Sequence, residues 1–294
     1  MSVKTRLLAS PVGQTAKRVI ADQQARRITS SDPTVRSLLT ALRAAAPDEG
    51  RWAERIEVER RRMRTSTEPV VVEITDPDRW RTTIARSRDA HPPVLLDESH
   101  VQRTLGEVTR VTSKPPHWGR LLFRLVHRLA PQRCLELGTS VGISGSYLAA
   151  GLHTVGSGGR LITLEGQASS AALATRLFAE LGLDAQVDVR TGWFDDTLEG
   201  ALATLGGVDL AFIDGHHEYQ PTLNYFAAVE PVTAPGGLLV FDDVSYWDKG
   251  MARAWAEVQQ HPAVTGSVTI GSVGFAVVRG TPSGHHRIAG LALR

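Results

Sequence analysis

The sequence predicts an α/β fold: a mostly parallel sheet with helices on both faces and an antiparallel last strand, preceded by a mainly helical N-terminal extension. Three observations carry that expectation. Residues 133–148, RCLELGTSVGISGSYL, run from a short apolar strand through a glycine-punctuated turn into a helix beginning near Ser144. From there to residue 260, short apolar runs alternate with stretches of helical spacing, which implies right-handed crossovers and a parallel sheet covered on both sides. Two closing runs, 264–270 and 274–279, have no helix between them and read as an antiparallel hairpin at the sheet edge.

Taken in order, residues 1–32 read as a flexible basic arm. Lys4, Arg6, Lys17, Arg18, Arg26 and Arg27 stand against Asp22 alone in its first thirty positions, and the apolar core of a secretory signal is missing. Residues 33–112 form the extension, or lid. It has a helix over 34–46, a turn at Pro47-Asp48-Glu49-Gly50, a peripheral charged helix over 51–65 and a β-branched strand over 70–74. A helix over 97–111 follows the Pro92-Pro93 break. Ser113-Lys114-Pro115-Pro116 then marks the boundary of the main domain, 113–280, and 281–294 is a tail.

Within that domain an amphipathic helix over 118–129 leads into the first strand. Strands are expected at 134–137, 160–164, 185–190, 209–213 and 237–241. Helices are expected at 144–152, 168–181, 196–205, 221–229 and 250–260, each placed by apolar period and flanking turn residues.

Composition narrows the function classes. With 42% hydrophobic and 22% charged residues, 294 positions suffice for a substantial core. A net charge of +2 gives no nucleic-acid signature. The single cysteine, Cys134, rules out an internal disulfide, fits a reducing compartment such as the cytoplasm, and reads as an inert core thiol. No run approaches the roughly 18 apolar residues of a membrane helix.

In parallel α/β sheets ligands bind outside the carboxyl ends of the strands. Five ends carry candidate residues here. The first is the turn Gly138, Thr139, Ser140 and Gly142, with Glu136 in the strand before it. Its glycines let the backbone turn tightly and a ligand approach the amides, but their spacing does not fit the GxGxxG dinucleotide fingerprint. The second is Glu165, a carboxylate suited to the two hydroxyls of a ribose. The third is Gly192-Trp193-Phe194, where an aromatic would meet a base. The fourth is Asp214-Gly215-His216-His217, and the fifth Asp242-Asp243. Three carboxylates on neighbouring strand ends repel one another, and a hard divalent cation, Mg2+, Mn2+ or Ca2+, would relieve that.

ELGTSVG resembles motif I of the class I S-adenosylmethionine (SAM) methyltransferases, which have a Rossmann-like sheet. IDG followed by FDDV resembles the metal-dependent catechol and caffeoyl-CoA O-methyltransferases and the macrocin-type enzymes. SKPPHWGRLLFRLV and IDGHHEYQPTLNYF extend the likeness to a bacterial group of methyltransferases without assigned substrate.

The resemblance implies SAM held by Glu136, Gly138, Thr139, Ser140, Gly142, Glu165, Gly192, Trp193, Phe194 and Asp214. It implies a metal on Asp214, Asp242 and Asp243, with Asp243 in place of the usual asparagine. His217 stands where these enzymes carry a lysine base, and a neutral imidazole serves near pH 7. Lys114 and Trp118 would gate the acceptor pocket. The expected activity is methyl transfer to a hydroxyl of a small molecule, a secondary metabolite, by a chain that forms a homodimer and binds neither membrane nor nucleic acid. The alternatives are a metal-free O- or N-methyltransferase using His217 and, from another class, an NAD(P)-dependent oxidoreductase or a non-catalytic nucleotide-binding domain.

Overall fold

The computed structural model describes residues 23–288 except 75 and 246–248. Eight strands form the main sheet: β4 (Arg133–Leu137), β5 (Arg160–Glu165), β6 (Val187–Thr191), β7 (Val208–Ile213), β8 (Thr233–Phe241), β9 (Val264–Ile270), β10 (Val273–Val278) and β11 (Gly284–Ile288). Their spatial order is β11-β9-β10-β8-β7-β4-β5-β6. From β6 across to β8 all pairings are parallel, while β10 runs antiparallel to both β8 and β9. The strand order reverses at β4, where β5 lies on one side and β7 on the other. That is the switch point at which such sheets open a crevice.

The helices between these strands are α6 (Ile143–Val155), α7 (Ala168–Leu181), α8 (Phe194–Leu205), α9 (Tyr219–Val229) and α10 (Lys249–Gln260). They cover both faces, so the central strands are apolar along almost their whole length rather than alternating: Cys134, Leu135 and Leu137 are fully buried. All five helices and five parallel strands expected from the sequence are present, with ends displaced by a few residues.

The extension is less helical than its sequence suggests. Helices α1 (Pro33–Ala41) and α2 (Glu49–Arg64) precede a three-stranded antiparallel sheet, order β1-β3-β2, made by β1 (Pro69–Glu73), β2 (Val94–Leu95) and β3 (His100–Thr104). Helix α3 (Pro77–Arg86), capped by Asp76, was not foreseen. The helix expected over 97–111 is instead β3 followed by the short α4 (Leu105–Thr112), which Thr104 caps by accepting from the Glu107 N–H. Helical spacing in 105–112 had masked the strand before it, whose identity rests on pairing with β1 about thirty residues earlier. α5 (Pro116–Leu129) then leads into β4.

Residues 1–22 of the expected basic arm lie outside the described residues. Residues 23–27 are helical with Ala25 buried, and Asp32 is wholly buried. The Asp32 carboxylate caps α1 through the N–H groups of Thr34 and Val35 and also accepts from the Thr281 N–H at 2.8 Å. The stretch 23–32 is therefore docked on the domain. At the other end, 284–288 of the expected tail is β11, parallel to β9, so the terminal hairpin is not the sheet edge. The polar run His285-His286-Arg287 concealed this strand, because an outermost strand buries little; Ile288 is its buried residue.

Candidate active site

The carboxyl ends of β4, β5, β6 and β7 open on a cleft of about 610 Å³, roofed by Thr112, Ser113, Lys114 and Pro115 from the α4–α5 link and by Val72 and Arg103 of the small sheet. Of the residues expected in the site, Gly138, Thr139, Ser140, Glu165, Trp193, Phe194, Asp214, His217 and Asp243 line it. Glu136, Gly142, Gly192 and Asp242 do not. Trp118 is also outside it; it packs beside the core and, with Lys114 and Asp242, lines a small neighbouring pocket.

The floor follows from the strand ladder. Gly138 N–H donates to Leu164 O, Asp214 N–H to Leu137 O and Asp242 N–H to Ile213 O, so each strand end is pinned to its neighbour. Gly138 has φ of 99°, and a Cβ there would fall 2.0 Å from the Asp214 carbonyl oxygen. Only glycine lets the two strand ends close up. Three non-glycine residues lining the cleft also have positive φ: Ser140 (48°), His216 (45°) and Asp243 (51°). Backbone of this kind concentrates at sites whose surroundings over-determine it.

Glu165 is held by its neighbours in sequence and space. Its Oε2 accepts from the Ser140 N–H at 2.6 Å and its Oε1 from the Gln167 N–H at 2.8 Å. A carboxylate has about four acceptor sites, so two remain for a diol in the cleft. Burial raises its pKa, and the two N–H groups oppose that rise.

Glu136 lies beneath the floor, fully buried. Thr163 donates to its Oε2 at 2.7 Å, and its Oε1 has no hydrogen-bond partner. Burial pushes its pKa up to about 7, against the Thr163 and Ser144 hydroxyls. Gly142 is a packing residue: it has φ of 88°, and Ala174 and Phe178 crowd the place of a Cβ.

An aromatic wall stands at the β6 and β7 ends. His216, which sequence reasoning passed over in favour of its neighbour, lies near-parallel to Trp193 (6.3 Å between centroids, 11°) and edge-on to Phe194. Its ring also meets the Tyr225 hydroxyl. Trp193 is 39% exposed, a large apolar face left open beside the Glu165 end of the cleft.

The acidic end is where the structure departs most from expectation. The metal-type donors that converge, within 4.8 Å of one another, are Asp214, His217 and Asp242 rather than Asp214, Asp242 and Asp243. His217 Nε2 is 3.5 Å from Asp214 Oδ1. Asp242 is 1% exposed and ion-paired to Lys114 Nζ, and Asp243 Oδ1 lies 3.7 Å from the same ammonium. For Asp214, burial and then the charge of Asp242 raise the pKa well above the carboxylate range, with the Lys114 charge opposing. For Lys114 burial lowers the pKa, but Asp214, Asp242 and Asp243 together outweigh it and the net shift is upward.

The donor number would suit a divalent ion. The ammonium already seated on Asp242 does not, because an ion bound there would face a fixed positive charge at contact range. As built, the cluster does not fit a resident metal.

A family model described as a methyltransferase domain matches residues 135–244, from β4 to just past β8. The chain is 36% identical over 137 residues to a catechol O-methyltransferase of Niastella koreensis, a match covering 45% of this chain and 58% of that relative. It is 31% identical over 172 residues to a catechol O-methyltransferase of Mycobacterium tuberculosis, covering 53% of this chain and 74% of the relative. Among solved structures it resembles an O-methyltransferase of Bacillus cereus in complex with S-adenosylhomocysteine (SAH). That likeness has a TM-score of 0.51 and 28% identity, over 58% of this chain and 89% of that one. A cofactor-bound protein from MTB gives a TM-score of 0.50 and 26% identity, over 57% and 82%. With the reversed strand order at β4 and the antiparallel β10, these matches place the chain in the class I SAM-dependent O-methyltransferase family.

Proposed function

We propose that this chain transfers the methyl group of SAM to a hydroxyl oxygen of a small molecule. The observation that carries the reading is Glu165, fixed by two backbone N–H groups with acceptor capacity to spare, at one end of a cleft whose other end holds His217 against Asp214. The first end suits a ribose diol, with Trp193 and Phe194 against a purine. The second suits an acceptor hydroxyl. SAM supplies an electrophilic methyl on a sulfonium. The chain supplies orientation and takes up the proton: the acceptor oxygen attacks the methyl carbon, the carbon–sulfur bond breaks, and the His217 imidazole removes the hydroxyl proton, with Asp214 beside the ring to balance the charge it gains.

Metal assistance at Asp214, Asp242 and Asp243 is the alternative that the acidic cluster suggested. The Lys114 ammonium on Asp242 favours the metal-free route. The names of the relatives make a hydroxylated aromatic such as catechol the first acceptor to try, and a secondary metabolite of that chemistry the class to search. Calorimetric titration with SAH tests the cofactor reading: micromolar binding is the expected result, and none in a folded protein overturns it. Catechol turnover with and without a chelator then separates the two routes.

A further inference from the structure

We propose that Lys114 is the tethered cation of this site, standing where a divalent ion would stand and presenting its charge to the acceptor oxygen, so that the enzyme works without a metal. The inference rests on the methyl-transfer reading above and goes beyond it.

Five features of the structure carry it. The Lys114 ammonium is ion-paired with Asp242, a carboxylate 1% exposed that does not line the main cleft. Neither carboxylate oxygen of Asp242 makes a hydrogen bond, so the pair is anchored by charge rather than by a closed network. Asp243 Oδ1, at 3.7 Å, and Asp214 face the same ammonium, so a single positive charge serves three carboxylates.

The ammonium is also held in place. Lys114 precedes Pro115 and Pro116, which confine its backbone to extended conformations. The helix that follows the prolines is locked to the extension by the buried Arg124–Glu49 pair. Ser140 on the floor donates to Thr112 two residues before Lys114, at 2.6 Å. Roof and floor are thereby registered to each other around the ammonium.

Finally, Lys114 lines the cleft together with His217, so an acceptor hydroxyl between them meets a positive charge on one side and a base on the other. The charge favours the oxyanion as the proton leaves to His217, the Lewis-acid part of the work done by a side chain. No proton moves to or from Lys114 in this scheme.

The test uses the full-length protein and Mn2+ alone, read by electron paramagnetic resonance and calorimetry, on the wild type and the variants Lys114→Met and Lys114→Ala. Losing the ammonium leaves three carboxylates around one point, and both variants are expected to bind Mn2+ at least about tenfold more tightly than the wild type. Catechol turnover by the wild type is expected to survive a chelator. Equal Mn2+ affinity in all three proteins, or chelator-sensitive turnover in the wild type, overturns the proposal. SAH titration of each protein is the separate control. Retained SAH affinity in the variants shows that they are folded, and absent SAH binding by the wild type sinks the methyl-transfer reading rather than the role of Lys114. Should Lys114→Met fail to fold, the Lys114→Ala variant and the wild-type chelator result decide.

Discussion

Two ionic centres hold the segment 113–129 that leads into the catalytic sheet, one against the N-terminal extension and one against the strand ends, and they are built on opposite principles. At the first, Arg124 of α5 and Glu49 at the start of α2 form a bidentate pair with distances of 2.6 and 2.9 Å. Both side chains are at most 1% exposed. Arg124 also donates to the Ala41 carbonyl oxygen, Glu49 accepts from the Ala46 N–H, and Arg120 adds a second cation at 3.0 Å. At the second, one ammonium serves Asp214, Asp242 and Asp243, and buried carboxylate oxygen remains without a hydrogen bond. At the first centre every polar atom of the Arg124 and Glu49 side chains has a partner, which is what holding two segments together requires. The second is over-supplied with negative charge and opens on the cleft, which costs stability and leaves reactivity. The difference separates a clasp from a site.

The largest effect expected from breaking this contrast is at the clasp. Arg124→Met leaves Glu49 charged and buried, and should cost about 3–5 kcal/mol in urea denaturation. The double variant with Glu49→Leu should recover most of that loss, since an apolar pair can replace a buried ionic one. No recovery would mean that Arg124 acts through packing and its bond to Ala41 instead.

A second contrast is with Glu136, a buried acid with an unmatched oxygen. Its folded pKa of about 7 is raised by burial, so the folded state holds a proton that the unfolded state releases near pH 4.5. Stability from this group is full below pH 4.5 and is lost as the pH rises to about 7. Glu136→Gln should abolish that loss and make the cofactor-free protein more stable at pH 8, by on the order of 3 kcal/mol at most. Thermal melts of both proteins between pH 5 and 8, diverging as the pH rises, check the sign.

Smaller effects sharpen the reading of the cleft. Glu165→Gln keeps the shape but removes the charge, and SAH should bind about tenfold more weakly by calorimetry, with little change in melting temperature. Thr112→Val removes the Ser140–Thr112 bond between roof and floor, and should weaken SAH binding by about 1 kcal/mol. An unchanged affinity there would show that the roof closes without that bond.

How far this could be read from the chain varies with the range of the interactions involved. The parallel core was legible because each strand and helix announces itself within about a dozen residues: α7 was bounded correctly at both ends, and β4 to within one residue. Glu165 and Asp214 were legible because parallel strands present their carboxyl ends on one side. The strand β3 and the edge strand β11 were not, since what makes them strands is a partner distant in sequence. His216 was hidden by the better-placed His217 beside it. Only the close approach of Trp193 and Phe194, from a different strand end, shows that its ring belongs to the site.

The sequence by itself determined the fold class, the glycine turn and the acids that face the cleft, because period, turn chemistry and strand-end position are local properties. The tertiary structure alone decided what those acids face. Glu136 was drawn under the floor instead of into it, and Asp243 was turned toward Lys114. The ammonium itself was delivered across a hundred residues of chain to a spot that strand ends alone would have left to a metal. Electrostatics at contact range depends on which charges meet, and no local pattern in a sequence records that.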